Sequence, residues 1–215
     1  MTPRSKYNSI IDLNKASRIK LHGKKGIRVI TLAESFNKKI FDKSVLVGTL
    51  VRGLYFVEDL FYTFVTLMGF DSTERVIEVI KKLMRADVHL ILLSGTIISL
   101  YNIIDLKEVY NTVNMPLIAI SYRESEGLEN ILKDLPMSET RLKIFKKNGE
   151  RSKIRLKNGF EVFIRCYGLN LNEAKSILDK ITIHGKIPEP IKITKNIARG
   201  ILRSIISEQK GEKFG

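Results

Sequence analysis

A chain of 215 residues is enough for one large domain or one and a half small ones, and 44 % hydrophobic residues suit a packed globular protein rather than a disordered one. No apolar run approaches the ~18–20 residues of a membrane span. The charged N-terminus is not followed by the apolar core of a signal peptide, and the single cysteine, Cys166, excludes an internal disulfide, so a cytoplasmic protein is expected. The formal net charge is +14 and unevenly spread: residues 1–27 carry seven Lys/Arg against Asp12 alone, and residues 141–157 carry eight against Glu150 alone. Lys186, Lys192, Lys195, Arg199 and Arg203 form a third basic group. Each such residue that neutralises a phosphate releases counterions and makes binding salt-dependent. The clustering therefore points to a nucleic-acid partner; the plainer alternative is a solvated basic surface.

In chain order, residues 1–26 read as a weakly patterned basic arm. The spacing predicts a strand over Ile27–Leu32, then Ser44–Arg52 and Tyr55–Met68 as a hairpin turning at Gly53-Leu54. Asp71 is expected to cap a helix running to about Arg85, with Asp71-Ser72-Thr73-Glu74 at capping-box spacing. Val88–Leu93 is a continuous apolar run, as in a central parallel strand covered on both faces. A helix over Leu100–Val113 and a strand over Pro116–Ser121 complete a crossover unit. Helices follow over Glu124–Lys133 and Ser138–Lys147, then a hairpin of Ile154–Lys157 with Gly159–Tyr167 across Asn158-Gly159. Asn170 or Asn172 caps a helix to Lys180, Pro188-Glu189-Pro190 breaks the chain, and Ile191–Ile206 forms an amphipathic helix. One α/β domain over residues 27–207 accounts for all of this, as a mixed sheet flanked by helices, with residues 208–215 as a tail.

Several stretches are similar, in order, to an archaeal family related to endonuclease V, some of whose members are described as deoxyuridine endonucleases. They are Arg28-Val29-Ile30, Val47-Gly48-Thr49-Leu50-Val51-Arg52-Gly53, Gly69-Phe70-Asp71-Ser72-Thr73-Glu74, Asn102-Ile103-Ile104-Asp105-Leu106, Met115-Pro116-Leu117-Ile118-Ala119-Ile120 and, most distinctive, Ile181 through Pro190. The resemblance implies a ribonuclease H-like fold, a DNA partner more than an RNA one, and a role in DNA repair or processing. It also implies carboxylates at neighbouring strand ends holding Mg²⁺ or Mn²⁺, which activates water and stabilises charge on the phosphate. Here the chain departs from the family. A pair of Asp residues is usual after the first strand, where this chain has Ala33-Glu34, and Asp-Gly is usual after the central strand, where it has Ser94-Gly95. Asp71 matches the family acid that opens the first helix.

Glu34 and Asp71 are therefore the candidate catalytic and metal-binding residues, with Ala33 and Ser94 the degenerate positions. Arg123, Lys146, Lys147, Arg151, Lys153, Lys195 and Arg199 are the candidate nucleic-acid contacts. Each has a plainer reading. Glu34 can be a solvated loop acid and Asp71 only an N-cap, a role worth ~1 kcal/mol. Asp105 reads as a mid-helix acid able to pair with Lys107 or another base, Arg123 as half of a surface ion pair, and His184 as a turn histidine. Cys166 reads as a buried thiol, and Tyr62, Tyr101 and Tyr122 read more readily as core than as base-stacking platforms. No zinc motif joins His22, His89 and His184. Three functions compete. One is a nucleic-acid-binding protein with a degenerate metal site. The others are an active Mg²⁺-dependent endonuclease on deoxyuridine or deoxyinosine in DNA, and a non-catalytic assembly subunit.

Overall fold

The computed structural model describes residues 26–124 and 127–209; the predicted arm, His22 and residues 210–215 lie outside them. Three strands, β1 (Arg28–Ser35), β2 (Lys43–Arg52) and β3 (Phe56–Thr66), form an antiparallel meander. β4 (Leu90–Ser94) lies parallel to β1, and after a small hairpin of β5 (Ile97–Ile98) and β6 (Asn102–Ile103), β7 (Leu117–Ser121) lies parallel to β4. β8 (Ser152–Arg155) and β9 (Glu161–Tyr167) close the far side as an antiparallel pair. The main sheet has seven strands in the order β3-β2-β1-β4-β7-β9-β8. Its parallel centre is apolar on both sides, as it must be when helices cover both faces.

Alternation along β1 assigns those faces. Ile30 and Leu32 pack with the buried side chains of α1 (Ser72–Leu83) and α2 (Leu106–Val113), whereas Val29 packs with α5 (Leu171–Ile181). Thr31 meets Thr194 of the long helix α6 (Glu189–Gln209). The Thr31, Thr49 and Thr194 hydroxyls lie 2.7 Å from one another, and Thr194 also donates to the Pro190 carbonyl. A closed polar triangle thus seats α6 across β1 and β2, while Ala198 and Leu202 pack on Val45 and Val47. The short helices α3 (Leu128–Lys133) and α4 (Ser138–Lys147) fold beside the hairpin β5–β6 and the end of β9.

Several expectations need correction. β1 continues to Ser35, so Ala33 and Glu34 are strand residues rather than loop residues. The helix expected from Leu100 starts only at Leu106, because Ser99, Leu100 and Tyr101 all take left-handed backbone angles that turn β5 into β6. Asp105 is consequently the N-cap of α2, accepting the Glu108 amide, and not a mid-helix acid. Asp71 holds the N-cap position of α1 but makes no capping hydrogen bond, so the predicted capping box does not form there; Asn170 and Glu173 do form one on α5. α1 ends at Leu83 and α3 begins at Leu128, after Gly127 at φ +74°. The Pro188-Glu189-Pro190 run opens α6 instead of breaking the chain, as proline suits a first helical turn. α6 also takes in two residues of the expected tail. Tyr62 and Phe64 face outward on the edge strand β3, and Cys166 is only half-buried. Among the described residues no helix is long and apolar enough to cross a membrane.

Close contact between α1 and β2 depends on Gly48. A Cβ there would stand 2.3 Å from Val79 Cγ1 and 2.9 Å from Leu83 Cδ1. Gly48→Ala is therefore expected to lower unfolding free energy by about 1–3 kcal/mol through overpacking, read as a reduced urea midpoint with an unchanged m-value.

Candidate strand-end site and basic surface

Strand alternation sends Ala33 and Glu34 to opposite faces. Ala33 follows Val29 and Thr31 onto the α5–α6 face, and Glu34 follows Ile30 and Leu32 onto the α1 face. The parallel register pairs Leu32 with Leu93, so the next residues along, Ala33 and Ser94, come abreast. Ser94 shares the face of Leu90 and Leu92, which pack with α5. Ala33 and Ser94 are thus neighbours on one face.

That face is filled by protein. Tyr122, one residue past β7, is half-buried against the same cluster. Its hydroxyl lies beside Ser94 without forming a hydrogen bond of good geometry, and burial pushes its pKa well above the usual phenol value. The Lys195 ammonium sits 4.9 Å from the Tyr122 ring centroid, in cation–π range. Burial holds the Lys195 pKa below its usual value, helped by the like charge of Arg199 and opposed by the charge of Glu34.

On the other face, Glu34 and Asp71 are both tied to the β5–β6 hairpin. The Ser99 amide donates to both Glu34 carboxylate oxygens at 2.9 Å, and the Ser99 hydroxyl donates to Oε2 at 2.8 Å. Asp71 accepts the Thr66 amide and hydroxyl and the Asn102 side-chain amide, whose oxygen accepts the Ser72 N–H. Arg141 of α4, 2 % exposed, holds the same hairpin from outside. Its guanidinium donates to the carbonyls of Met68, Gly69, Tyr101 and Pro136 and stacks on Phe70 at 4.4 Å.

The residues present do not fit a Mg²⁺ centre as they stand. Mg²⁺ requires near-octahedral oxygen donors and tolerates little distortion. Here the Glu34 and Asp71 oxygens are engaged by N–H and O–H donors, the strand-end pair is alanine and serine, and a lysine is the nearby cation. Among the described residues no three His, Cys, Asp or Glu side chains gather as a metal-binding group.

The seven basic candidates do not form one surface. Lys147 pairs with Asp105, the N-cap of α2, and Lys153 pairs with Glu161 at 2.9 Å. Arg151 stacks on Phe163 and donates to the Arg123 carbonyl. Arg123, Lys146 and Arg199 are exposed, with no ion pair among the described residues. Arg199 borders an open cleft of about 460 Å³ together with Lys38, Lys39 and Arg203, and no acid among the described residues lines it. The sequence reading passed over Lys38 and Lys39, whose loop position is visible only as two adjacent lysines after β1. Arg141, counted in the basic stretch 141–157, is buried among carbonyls instead of facing solvent, and Arg165 was not singled out, its signal being a lone arginine within the apolar run of β9. His184 is an exposed turn residue whose amide donates to Glu189, in line with its plainer reading.

A seven-stranded mixed sheet with a parallel centre, an antiparallel meander on one side and helices on both faces is a ribonuclease H-like α/β domain of the endonuclease V kind. The chain belongs to the Endonuclease dU family, whose sequence model matches residues 25–202. A UPF0215 protein of Methanosarcina acetivorans is 30 % identical over 194 residues, spanning 88 % of this chain and 96 % of that one. Another, from Pyrobaculum aerophilum, is 32 % identical over 172 residues, 79 % of this chain and 91 % of that one. A solved structure of a protein of unknown function from Archaeoglobus fulgidus superposes with TM-score 0.72 at 27 % identity, covering 82 % of this chain and 98 % of that one. Ciona intestinalis endonuclease V, solved with inosine-containing DNA, superposes with TM-score 0.55 at 16 % identity over 84 % of this chain and 88 % of that one, a likeness of fold.

Burial raises the Glu34 pKa above the ordinary carboxylate value of 4.5, against the opposing pull of the Ser99 donors. The folded state then binds more protons than the unfolded chain between those two pKa values, so stability falls as pH rises through that window. Glu34→Gln is expected to flatten this segment of the stability–pH curve, measured by urea denaturation at stepped pH. For Arg141→Met, which strands four carbonyls around the hairpin, the expected loss is about 3 kcal/mol in the same measurement.

Proposed function

We propose that this protein binds nucleic acid, DNA in preference to RNA, on an endonuclease V-like scaffold whose metal-dependent cleavage has been lost. One observation carries the reading: the abreast strand-end positions Ala33 and Ser94 hold no carboxylate. Metal positioning and charge stabilisation are the whole apparatus of this chemistry, so the loss reaches the reaction and leaves the fold intact. Membership of a family described as Endonuclease dU and the shared fold of DNA-bound endonuclease V support a nucleic-acid partner. The basic cleft of Lys38, Lys39, Arg199 and Arg203 is the backbone-contacting surface that best suits this role. A link to repair or processing of DNA goes with this reading, as does residence in the cytoplasm.

The test has two arms. Wild-type protein is expected to bind a short DNA duplex with affinity that falls steeply with salt, and Lys38→Ala with Arg199→Ala is expected to reduce both affinity and the salt slope, the latter by about two. Absence of binding at low salt would leave the assembly-subunit reading. In the second arm, calorimetric titration with Mn²⁺ is expected to show no saturable site in the wild type and a new one in Ala33→Asp with Ser94→Asp and Lys195→Ala. Saturable wild-type binding with EDTA-sensitive nicking of deoxyuridine DNA would overturn the proposal in favour of the active endonuclease.

A further inference from the structure

Beyond the C-terminal ends of β4 and β7, on the α1 face, two connected pockets lie between the sheet and α4. The outer one is about 490 Å³ and the inner about 90 Å³; they share Phe145, Arg151 and Arg165. Strand C-termini in open α/β sheets form the crevice where ligands bind. The inner pocket is polar and small, with the Thr96 hydroxyl, the Gly95 turn at φ +98° and Ser121 at its lining. At roughly 30 Å³ per water, it has room for about three waters, or one group of five heavy atoms.

Arg165 is the unusual residue of this pocket. It is 7 % exposed, yet no carboxylate among the described residues pairs with it. Its Nε donates to the Gly149 carbonyl at 2.9 Å and one terminal nitrogen to Thr96 Oγ1 at 3.3 Å, while the other terminal nitrogen has no hydrogen-bond partner among the described residues. The ring of Phe145 lies 5.7 Å from its guanidinium carbon and backs it from one side. Burial and the like charge of Arg151 push its pKa down to about 10, so it remains a cation at neutral pH. A buried charge without a counter-charge is costly, and such groups are normally paired. Arg151 has company of its own, in Phe163, the Arg123 carbonyl and the nearby charge of Glu124. Glu129 and Glu150 border the outer pocket only, and among the described residues no acid lines the inner one.

We propose that the inner pocket binds a phosphate monoester, with Arg165 as its main ligand and Arg151 and Thr96 beside it, and that the outer pocket holds the nucleoside attached to that phosphate. A planar guanidinium fork with a free terminal N–H group matches phosphate oxygens. The inner pocket is too small for a chain to pass through, so the phosphate it takes is a terminal one: the end of a nucleic-acid strand or a free nucleotide. The inference deepens the proposed nucleic-acid function without sharing its surface, since the Lys38–Arg199 cleft lies beside α6.

The experiment measures binding of one short single-stranded oligonucleotide in three forms, 5′-phosphorylated, 3′-phosphorylated and unphosphorylated, with inorganic phosphate and a nucleoside 5′-monophosphate as competitors. One terminal phosphate is expected to tighten binding about tenfold. Inorganic phosphate competes away that increment in the wild type, which needs no substitution. Arg165→Gln abolishes the increment and leaves the unphosphorylated strand within about twofold. Ser121→Asp, which places at the pocket lining a carboxylate that occupies the guanidiniums in place of phosphate while both arginines are kept, does the same should Arg165→Gln fail to fold. Equal affinity for all three strands, unmoved by phosphate, overturns the pocket while salt-sensitive strand binding keeps the proposed function. Competitor binding that depends on Arg165 with no strand binding at any salt supports the pocket as a free-nucleotide site and sinks the proposed function.

Discussion

The contact between the Glu34 carboxylate and the Ser99 amide holds the strand-end region together. Ser99, Leu100 and Tyr101 occupy the left-handed region in succession, a conformation costing non-glycine residues of order 1 kcal/mol or more each. Such a turn persists only when its surroundings over-determine it. Glu34 takes the Ser99 amide and hydroxyl, Met68 donates to the Ser99 carbonyl, Asn102 binds Asp71, and Arg141 collects the Tyr101 carbonyl. The start of α1, the end of β1 and the body of α4 all meet at this hairpin, and it fixes where α2 begins.

This arrangement recasts the acids that the sequence offers for chemistry. Glu34 and Asp71 are each spent on amides and hydroxyls of the protein itself. A carboxylate can serve a cation or a set of N–H groups, and the donors here leave few lone pairs over. The opposite face tells the same story with different atoms, since Tyr122 and Lys195 pack the space alongside Ala33 and Ser94.

The fold was legible because its signals are periodic and local. The apolar run of β4, the Asn158-Gly159 turn and the asparagine cap before α5 each have one physical interpretation, although the choice of Asn170 over Asn172 came only with the structure, and the family resemblance gave their order in space. The hairpin β5–β6 was not legible. Nothing in Ser99-Leu100-Tyr101 advertises left-handed backbone, as glycine or asparagine would, and its stabilising partners come from positions 34, 68, 71 and 141. The basic candidates were read well as charges and poorly as a surface. Lys147 and Lys153 find acids that are distant or unremarkable in sequence, and the buried role of Arg165 depends on α4 folding over the sheet.

The hairpin clamp has a corollary for sequence tolerance. Ser99, Leu100 and Tyr101 hold a turn that opposes their own backbone preferences, so a substitution at Glu34 or at Arg141 is transmitted to it. The two positions are thereby coupled through a shared turn, and each restricts the residues the other can accept.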